Sequence, residues 1–392
     1  LKLRLICLLL LGCACAQAQT DDHAALYEAA RGQTVYFNAW GGDPAINDYI
    51  QWVAEQVARD YDIELRHVKV GDIAETVVRI RAEKAAGRET DGSVDLLWIN
   101  GENFAALKRA NLLHGPWALT APGTERVHWQ SETVQRDGNL ATEGFEMPWG
   151  SSALTLFYDS ARVSAPPRSP QALLDVIENH RGRFTYPQPP AFVGSAFLKQ
   201  LLVLLAAEPE RLQRAVEDDF DVVTAPLWRW LDQAHRSMWR GGRLFPRSGP
   251  AQRELVALGE LDWMMAYNPS EASRAMRRGE LPSSMRGLQF ESGALANSHF
   301  VAIPFNSGAK QAATVVASFL ISPTAQARKA DERVWGDTTV LDIARLTTQE
   351  RAPFDAATRG PATPPPTTPQ VSEPHPSWND ALERAWLERY TR

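Results

Sequence analysis

A two-lobed α/β fold is predicted by three features of the sequence. A strand, a glycine turn and a helix follow one another directly between Gly32 and Asn47, and two further strands alternate with helices just after them. The 392 residues exceed one ordinary domain and suit two lobes of common size.

The opening unit organises the rest. Thr34, Val35, Tyr36 and Phe37 form a β-branched and aromatic run suited to a buried strand, and Gly41-Gly42 stops it. Asp43 stands where a helix N-cap belongs. Pro44 fits the first helical position, since its ring presets φ and its missing N–H would have had no partner there. Ile46, Ile50, Val53, Val57 and Tyr61 then recur at three- and four-residue spacing, a stripe to pack on the strand just left. In open α/β sheets such a turn lies at the carboxyl end of the strand, where ligands bind, and here it carries Trp40, Gly41 and Asp43.

Residues 63–70 read as a β-rich segment, 73–86 as a helix stopped by Gly87, and 94–99 as a continuous apolar strand. Three strands alternating with helices specify a parallel sheet. Asn100, Glu102 and Asn103 turn the third strand into a helix on the same sheet edge as Trp40. Pro148, Trp149, Gly150, Ser151 and Ser152 precede a strand at 153–158, and a helix opens at Ser169. A short strand at 184–186 and a rigid loop at 187–190 lead, through Phe192, Gly194 and Ser195, to an apolar helix ending near Ala207. Helices at 227–239 and 255–259 follow, then a strand at 261–267 closed by Asn268, a strand at 297–305 beginning with Asn297, and a helix at 310–321. Residues 361–376 are proline-rich and read as an extended strap or link. Beyond them Trp378, Leu382, Trp386 and Tyr390 share one helix face that should dock.

Composition narrows the function. A formal charge of −6, with no basic run beyond the first few residues, argues against nucleic acid or an anionic membrane as partner. Lys2 and Arg4, the apolar run Ile6–Leu11 and the small-x-small site Ala16-Gln17-Ala18 form a secretory signal over residues 1–18, which predicts a periplasmic protein beginning near Gln19. That apolar run is about half the roughly 20 residues a membrane span needs. The alternative is lipoprotein anchoring through Cys13, after Leu10-Leu11-Gly12. Cys7, Cys13 and Cys15 all lie in this segment, so cleavage after Ala18 leaves no cysteine and no disulfide.

Chemistry is sparse. The 8 histidines are scattered without a pair at ligand spacing, so neither a metal nor a cofactor is expected. Gly150-Ser151-Ser152-Ala153-Leu154 has Leu where a nucleophile elbow needs Gly, and no glycine-rich loop ends in Lys-Ser or Lys-Thr. No catalytic residue is expected, and any ATPase must be another chain. Each singled-out residue also has a plain structural reading: Trp40 and Trp149 as core, Asp43 as a cap, Glu102 as a first-turn acid, Tyr267 and Asn268 as a strand end.

Along Gly32–Asn47, Ser93–Phe104, Pro148–Ser152, Thr185–Leu201 and His299–Trp335, and in the tryptophan-rich terminal helix, the chain resembles the extracellular solute-binding proteins of ABC importers. It is most similar to the YnjB-type subgroup of their two-lobed, two-crossing type. The resemblance implies a periplasmic-binding-protein-like fold, each lobe a mostly parallel sheet flanked by helices. Lobe 1 would span 19–150 and return at 293–345, lobe 2 would span 151–292, and 346–392 would form the strap and docking helix. It further implies a hinge near Trp149–Ser152, a monomer, a small-molecule ligand between the lobes, and delivery to an inner-membrane permease served by a separate ATPase. Ligand contacts are expected from Trp40, Gly41, Asp43, Asn100, Glu102, Asn103, Trp149, Gly150, Ser151, Ser152, Phe192, Gly194, Ser195, Tyr267, Asn268 and Asn297.

The cleft segments 38–47, 100–104, 144–152, 187–197, 266–272 and 297–300 contain no Lys or Arg. They do contain Asp43, Glu102, Glu146 and Glu271, beside Trp40, Trp149, Phe192 and Tyr267. Carboxylates among aromatic faces predict a small organic cation, thiamine-like or polyamine-like, with a polyol or sugar as the neutral alternative. Two other functions use the same cleft: an enzyme with Asp43 and Glu102 as a glycosidase-like carboxylate pair, and a sensor subunit feeding a membrane receptor.

Overall fold

The computed structural model describes residues 22–138, 140–364 and 369–391. The expected signal segment, its cleavage site and Cys13 lie outside these residues, as do 365–368 of the proline-rich stretch.

β1 (Thr34–Trp40) passes through the glycine turn into α1 (Pro44–Tyr61). Asp43 is extended and its Oδ1 accepts the Ala45 N–H at 2.8 Å, so the N-cap forms as its residue type dictates. Ile46, Ile50, Val53 and Val57 are buried with Tyr49, and Tyr61 is half-buried. β2 (Glu64–Val70), α2 (Ala74–Ala85), β3 (Leu96–Ile99) and α3 (Gly101–Arg109) continue the alternation. Then come β4 (Glu146–Ala153), β5 (Thr155–Asp159), α4 (Pro170–Asn179), α5 (Phe192–Leu205), α6 (Phe220–His235), β6 (Trp263–Ala266), α7 (Glu271–Arg277) and β7 (Met285–Leu288). β8 (Ala294–Ala302), α8 (Lys310–Leu320), α9 (Pro323–Ala330), α10 (Thr348–Asp355), β9 (Gln370–Val371) and α11 (Pro376–Tyr390) follow. Among the described residues no helix is long and apolar enough to cross a membrane.

β1 pairs in parallel with β2, from Thr34–Glu64 to Trp40–Val70, and with β3 at Phe37–Leu96. The larger sheet runs β9-β8-β3-β1-β2, with β4 also on β8, and β8 is antiparallel to both β3 and β4. In the smaller sheet β5 lies between β6 and β7 and runs antiparallel to each, so parallel pairing belongs to the first sheet. Two separate cores result. One gathers Phe37, Tyr49, Trp149, Val301 and Trp335, with Val77, Leu97, Phe104 and Phe300 on the sheet's other face. The second gathers Leu156, Tyr186, Phe197, Trp230, Trp263, Leu295 and Trp386, with Phe157, Met264 and Ala362 behind them.

The strand expected at 153–158 is broken at Leu154, where the chain passes from one core to the other. β8 makes the return, with Leu295 in the second core and Val301 in the first. A third passage follows α10: Phe354 packs on the first core, whereas Ala362 is buried in the second, to which Trp378, Leu382 and Trp386 of α11 also belong. The short strand expected at 184–186 does not form. Its carbonyls are taken singly, Phe184 by the Trp239 N–H and Thr185 by the Gln252 side chain, both at 2.8 Å, so no ladder is built.

Candidate interlobe site

The β1–α1 turn forms one wall. Trp40 is 43% exposed although Phe37, Asn38 and Ala39 just before it are buried, and its indole lies across Gly42, where any Cβ would collide with the ring. Asn47 Nδ2 donates to the Gly41 carbonyl at 3.0 Å and fixes the turn. Asp43 does more than cap α1. Its two carboxylate oxygens accept from Arg274 Nη2 at 3.2 and 3.1 Å, which joins the first core's turn to α7 of the second. Arg274 is 9% exposed, and its Nη1 lies 3.5 Å from the Trp335 carbonyl. Ser270 Oγ donates to that same carbonyl at 3.2 Å, while Asn268 Oδ1 accepts from Ser270 N and is 2.9 Å from its Oγ. Trp40, Gly41, Asp43 and Asn268 are thus brought into one neighbourhood, with Arg274 as the residue that sequence reasoning missed. It lies two positions beyond the segment taken for cleft, on the same helix face as Glu271.

The acidic cleft needs correction. Glu271 is ion-paired with Arg253, and Asp43 with Arg274. Glu146 is fully buried on β4 and neither of its oxygens has a partner among the described residues. Burial, reinforced by the nearby Asp137 charge, holds its carboxyl well above the usual range, so it is a neutral core group. Glu102 lines a separate groove of about 460 Å³ with Arg81, Arg109 and His375, and Asp43 and Glu102 share no partner among the described residues. That removes the observation behind a carboxylate pair.

Trp149 is also corrected, from cleft wall to core. It has no exposed surface and is enclosed by Phe37, Tyr49, Trp98 and Trp335, with ring centroids 5.0–6.4 Å away, and by Lys329 5.0 Å above its ring. The bulge that turns Trp149 inward also places Gly150 against Asp337 and Lys329, where no side chain fits. Lys329 Nζ is 2.9 Å from Asp337 and donates to the Trp149 carbonyl. Burial pulls the ammonium down against the attraction of Asp337; it would raise Asp337, but Lys329 and His299 bring that carboxyl below its usual range. Ser152 Oγ and Asp337 Oδ1 both meet His299 Nε2, at 3.3 and 3.2 Å. A nucleophile relay needs one partner on each ring nitrogen, so this trio locks β4 to β8 and relays no proton. Ser151 Oγ donates to the Asn297 carbonyl at 3.2 Å in the same strand pair.

The remaining expected contacts are engaged by the chain itself. Phe192 is 56% exposed and packs on Tyr267 at a centroid distance of 5.0 Å. Tyr267 donates to Glu373 at 2.9 Å, Lys199 pairs with the other oxygen of Glu373 at 2.7 Å, and Ser195 donates to Glu383 at 2.6 Å. The strap and α11 therefore cover this end of α5. Gly194 sits where a Cβ would collide with the Pro187 carbonyl, so its smallness serves packing. At the start of α3 the Asn100 side chain makes no cap bond to the helix and lies 3.5 Å from Asn103. The Gly101 N–H is taken by Asp137, whose carboxyl burial lifts to about 7.

Comparison with known proteins bears on the same geometry. A family model described as bacterial extracellular solute-binding protein matches residues 52–351. The chain is 46% identical over 371 residues to Protein YnjB of Escherichia coli strain K12, covering 94% of each. A putative extracellular solute-binding protein from Bordetella parapertussis has a similar structure, with TM-score 0.66 and 11% identity over 91% of this chain and 97% of that one. The spermidine/putrescine substrate-binding protein PotD of Streptococcus pneumoniae gives 0.61 at 11% identity, over 91% and 98%. The Atu4243-GABA receptor gives 0.58 at 14%, over 92% and 98%. Identities this low speak to the fold alone, and that fold has two lobes with a cleft between them.

Proposed function

For a chain that belongs to the bacterial extracellular solute-binding proteins of ABC transporters, we propose that the solute is a small organic molecule bearing a positively charged nitrogen. It is bound in the cleft at the β1–α1 turn, is not chemically altered, and is handed to a membrane permease outside the cytoplasm. The observation that carries this is the exposed Trp40 indole in the same short turn as the Asp43 carboxylate, at the carboxyl end of a parallel strand. An exposed indole and a carboxylate offered by one turn suit an ammonium or thiazolium group, and a desolvated cation–π contact contributes about 2 kcal/mol or more. The lobes of this reading are 19–150 with 293–345 and 151–292, the strap and α11 completing the second.

Titration of tryptophan fluorescence with thiamine, spermidine, choline, glycerol phosphate and maltose tests it. A nitrogen cation should bind, and Trp40→Ala should weaken it about 30-fold, the equivalent of about 2 kcal/mol. Tight binding of glycerol phosphate with no response to any cation would overturn the proposal. Conversion of a bound solute, followed by mass balance at stoichiometric protein, would overturn the non-enzymatic part.

A further inference from the structure

A guanidinium carries five N–H donors in a rigid fork, and a settled arginine–carboxylate pair docks two of its nitrogens in parallel. Arg278, one residue past α7, does this: Nε and Nη2 meet the two oxygens of Glu280 at 2.6 and 2.8 Å. Arg274 does not. A single nitrogen, Nη2, serves both Asp43 oxygens, Nη1 reaches only a carbonyl at the 3.5 Å limit, and Nε has no partner among the described residues. A side chain only 9% exposed thus keeps one uncommitted donor, Nε, beside the site. The arginines around it are committed elsewhere, Arg253 to Glu271 and Arg277 to Glu332.

We infer that Arg274 is a specificity-determining residue that takes an acid group of the solute, so that the solute is a zwitterion. This rests on the reading that its nitrogen meets Trp40 and Asp43. The charges favour it on both sides. A bare cation would approach Asp43 under repulsion from Arg274, and a bare anion would approach Arg274 under repulsion from Asp43. A molecule carrying both charges meets an attraction at each end and leaves the Asp43–Arg274 pair neutral overall.

Isothermal titration of the full chain with ω-amino acids from glycine to 6-aminohexanoate, and with the amines and carboxylic acids of matching length, tests the inference. One amino acid should bind at least about tenfold more tightly than its matching amine. Arg274→Gln should abolish that preference and Arg274→Lys should keep part of it, circular-dichroism melting having shown that both variants fold. An amine that binds as tightly as the amino acid, or a preference that survives Arg274→Gln, would overturn the zwitterion and leave the positively charged nitrogen standing. Acids that bind best of the three overturn both readings, and a series without heat at any length overturns the zwitterion.

Discussion

Replacing Asp137 with Asn should remove a stability penalty that grows with pH. Asp137 is 4% exposed, and burial is the main cause that lifts its carboxyl from 3.8 to about 7; the Glu373 charge adds to this, and the N–H bonds from Gly101 and Gly138 oppose it. In the unfolded chain the group ionises at its ordinary value. Between about pH 4 and pH 7 the folded chain therefore holds a proton that the unfolded chain has lost, and stability falls as pH rises through that window. A gap of about 3 units at about 1.4 kcal/mol each makes the full penalty about 4 kcal/mol, of which about 3 kcal/mol develops between pH 5 and pH 8. Asn stays neutral throughout and keeps an oxygen for the Gly101 N–H. Urea unfolding at pH 5, 6, 7 and 8 should show the variant gaining on the wild type at each step, by about 3 kcal/mol in all. Glu146 shifts in the same direction, mainly through burial and in part through the Asp137 charge, so the variant also relieves that part of its penalty and the gain with rising pH keeps its sign. Parallel pH curves would refute the buried-acid argument, and a variant that loses ground with rising pH would mean that Asp137 is ionised and stabilised by its helix end.

Three further outcomes follow from packing and hinge geometry. Gly150→Ala drives a methyl group into Asp337 and Lys329 and should cost about 1–3 kcal/mol, read as a lowered thermal midpoint. Trp386→Ala empties a fully buried site and removes the indole N–H donated to the Tyr186 hydroxyl at 2.6 Å; about 3–5 kcal/mol should be lost in urea unfolding, and a cost below about 1 kcal/mol would show that α11 is peripheral. A saturating solute should shift the lobes together and reduce the radius of gyration in small-angle scattering, and identical profiles with and without it would contradict a moving hinge.

Local chemistry was legible in the sequence where one short stretch decides its own structure. Asp43 caps because its oxygen reaches an N–H two residues on, and the stripe from Ile46 to Val57 is buried because helical spacing puts it there. The site's charge balance was not legible, because it depends on pairs far apart in the chain. Nothing near Asp43 announces Arg274, 231 residues away, and nothing near Tyr267 announces Glu373, 106 residues away. Trp149 misled for a related reason. A tryptophan beside a glycine reads as a turning chain, but the glycine is there because Asp337 and Lys329 leave no room for a side chain, and the same bulge folds the indole inward. Glu146 looked like a cleft acid because its strand is buried along its whole length, and no polar-apolar alternation separates an inward acid from an outward one.

Tyr186 and Trp386 touch across 200 residues of chain. A polypeptide that emerges from the ribosome in order cannot seal its second core until Trp378, Leu382 and Trp386 exist, so every shorter nascent product still displays Phe197, Trp230 and Tyr186. Contacts of such long sequence separation are slow to find, because the intervening loop must be closed before they contribute. Within the first sheet β1, β2 and β3 lie close together in sequence and escape that wait, whereas β8, which pairs with both β3 and β4, is made much later. This order leaves the aromatic residues of the second core without their α11 partners for as long as the 200 intervening residues take to be made.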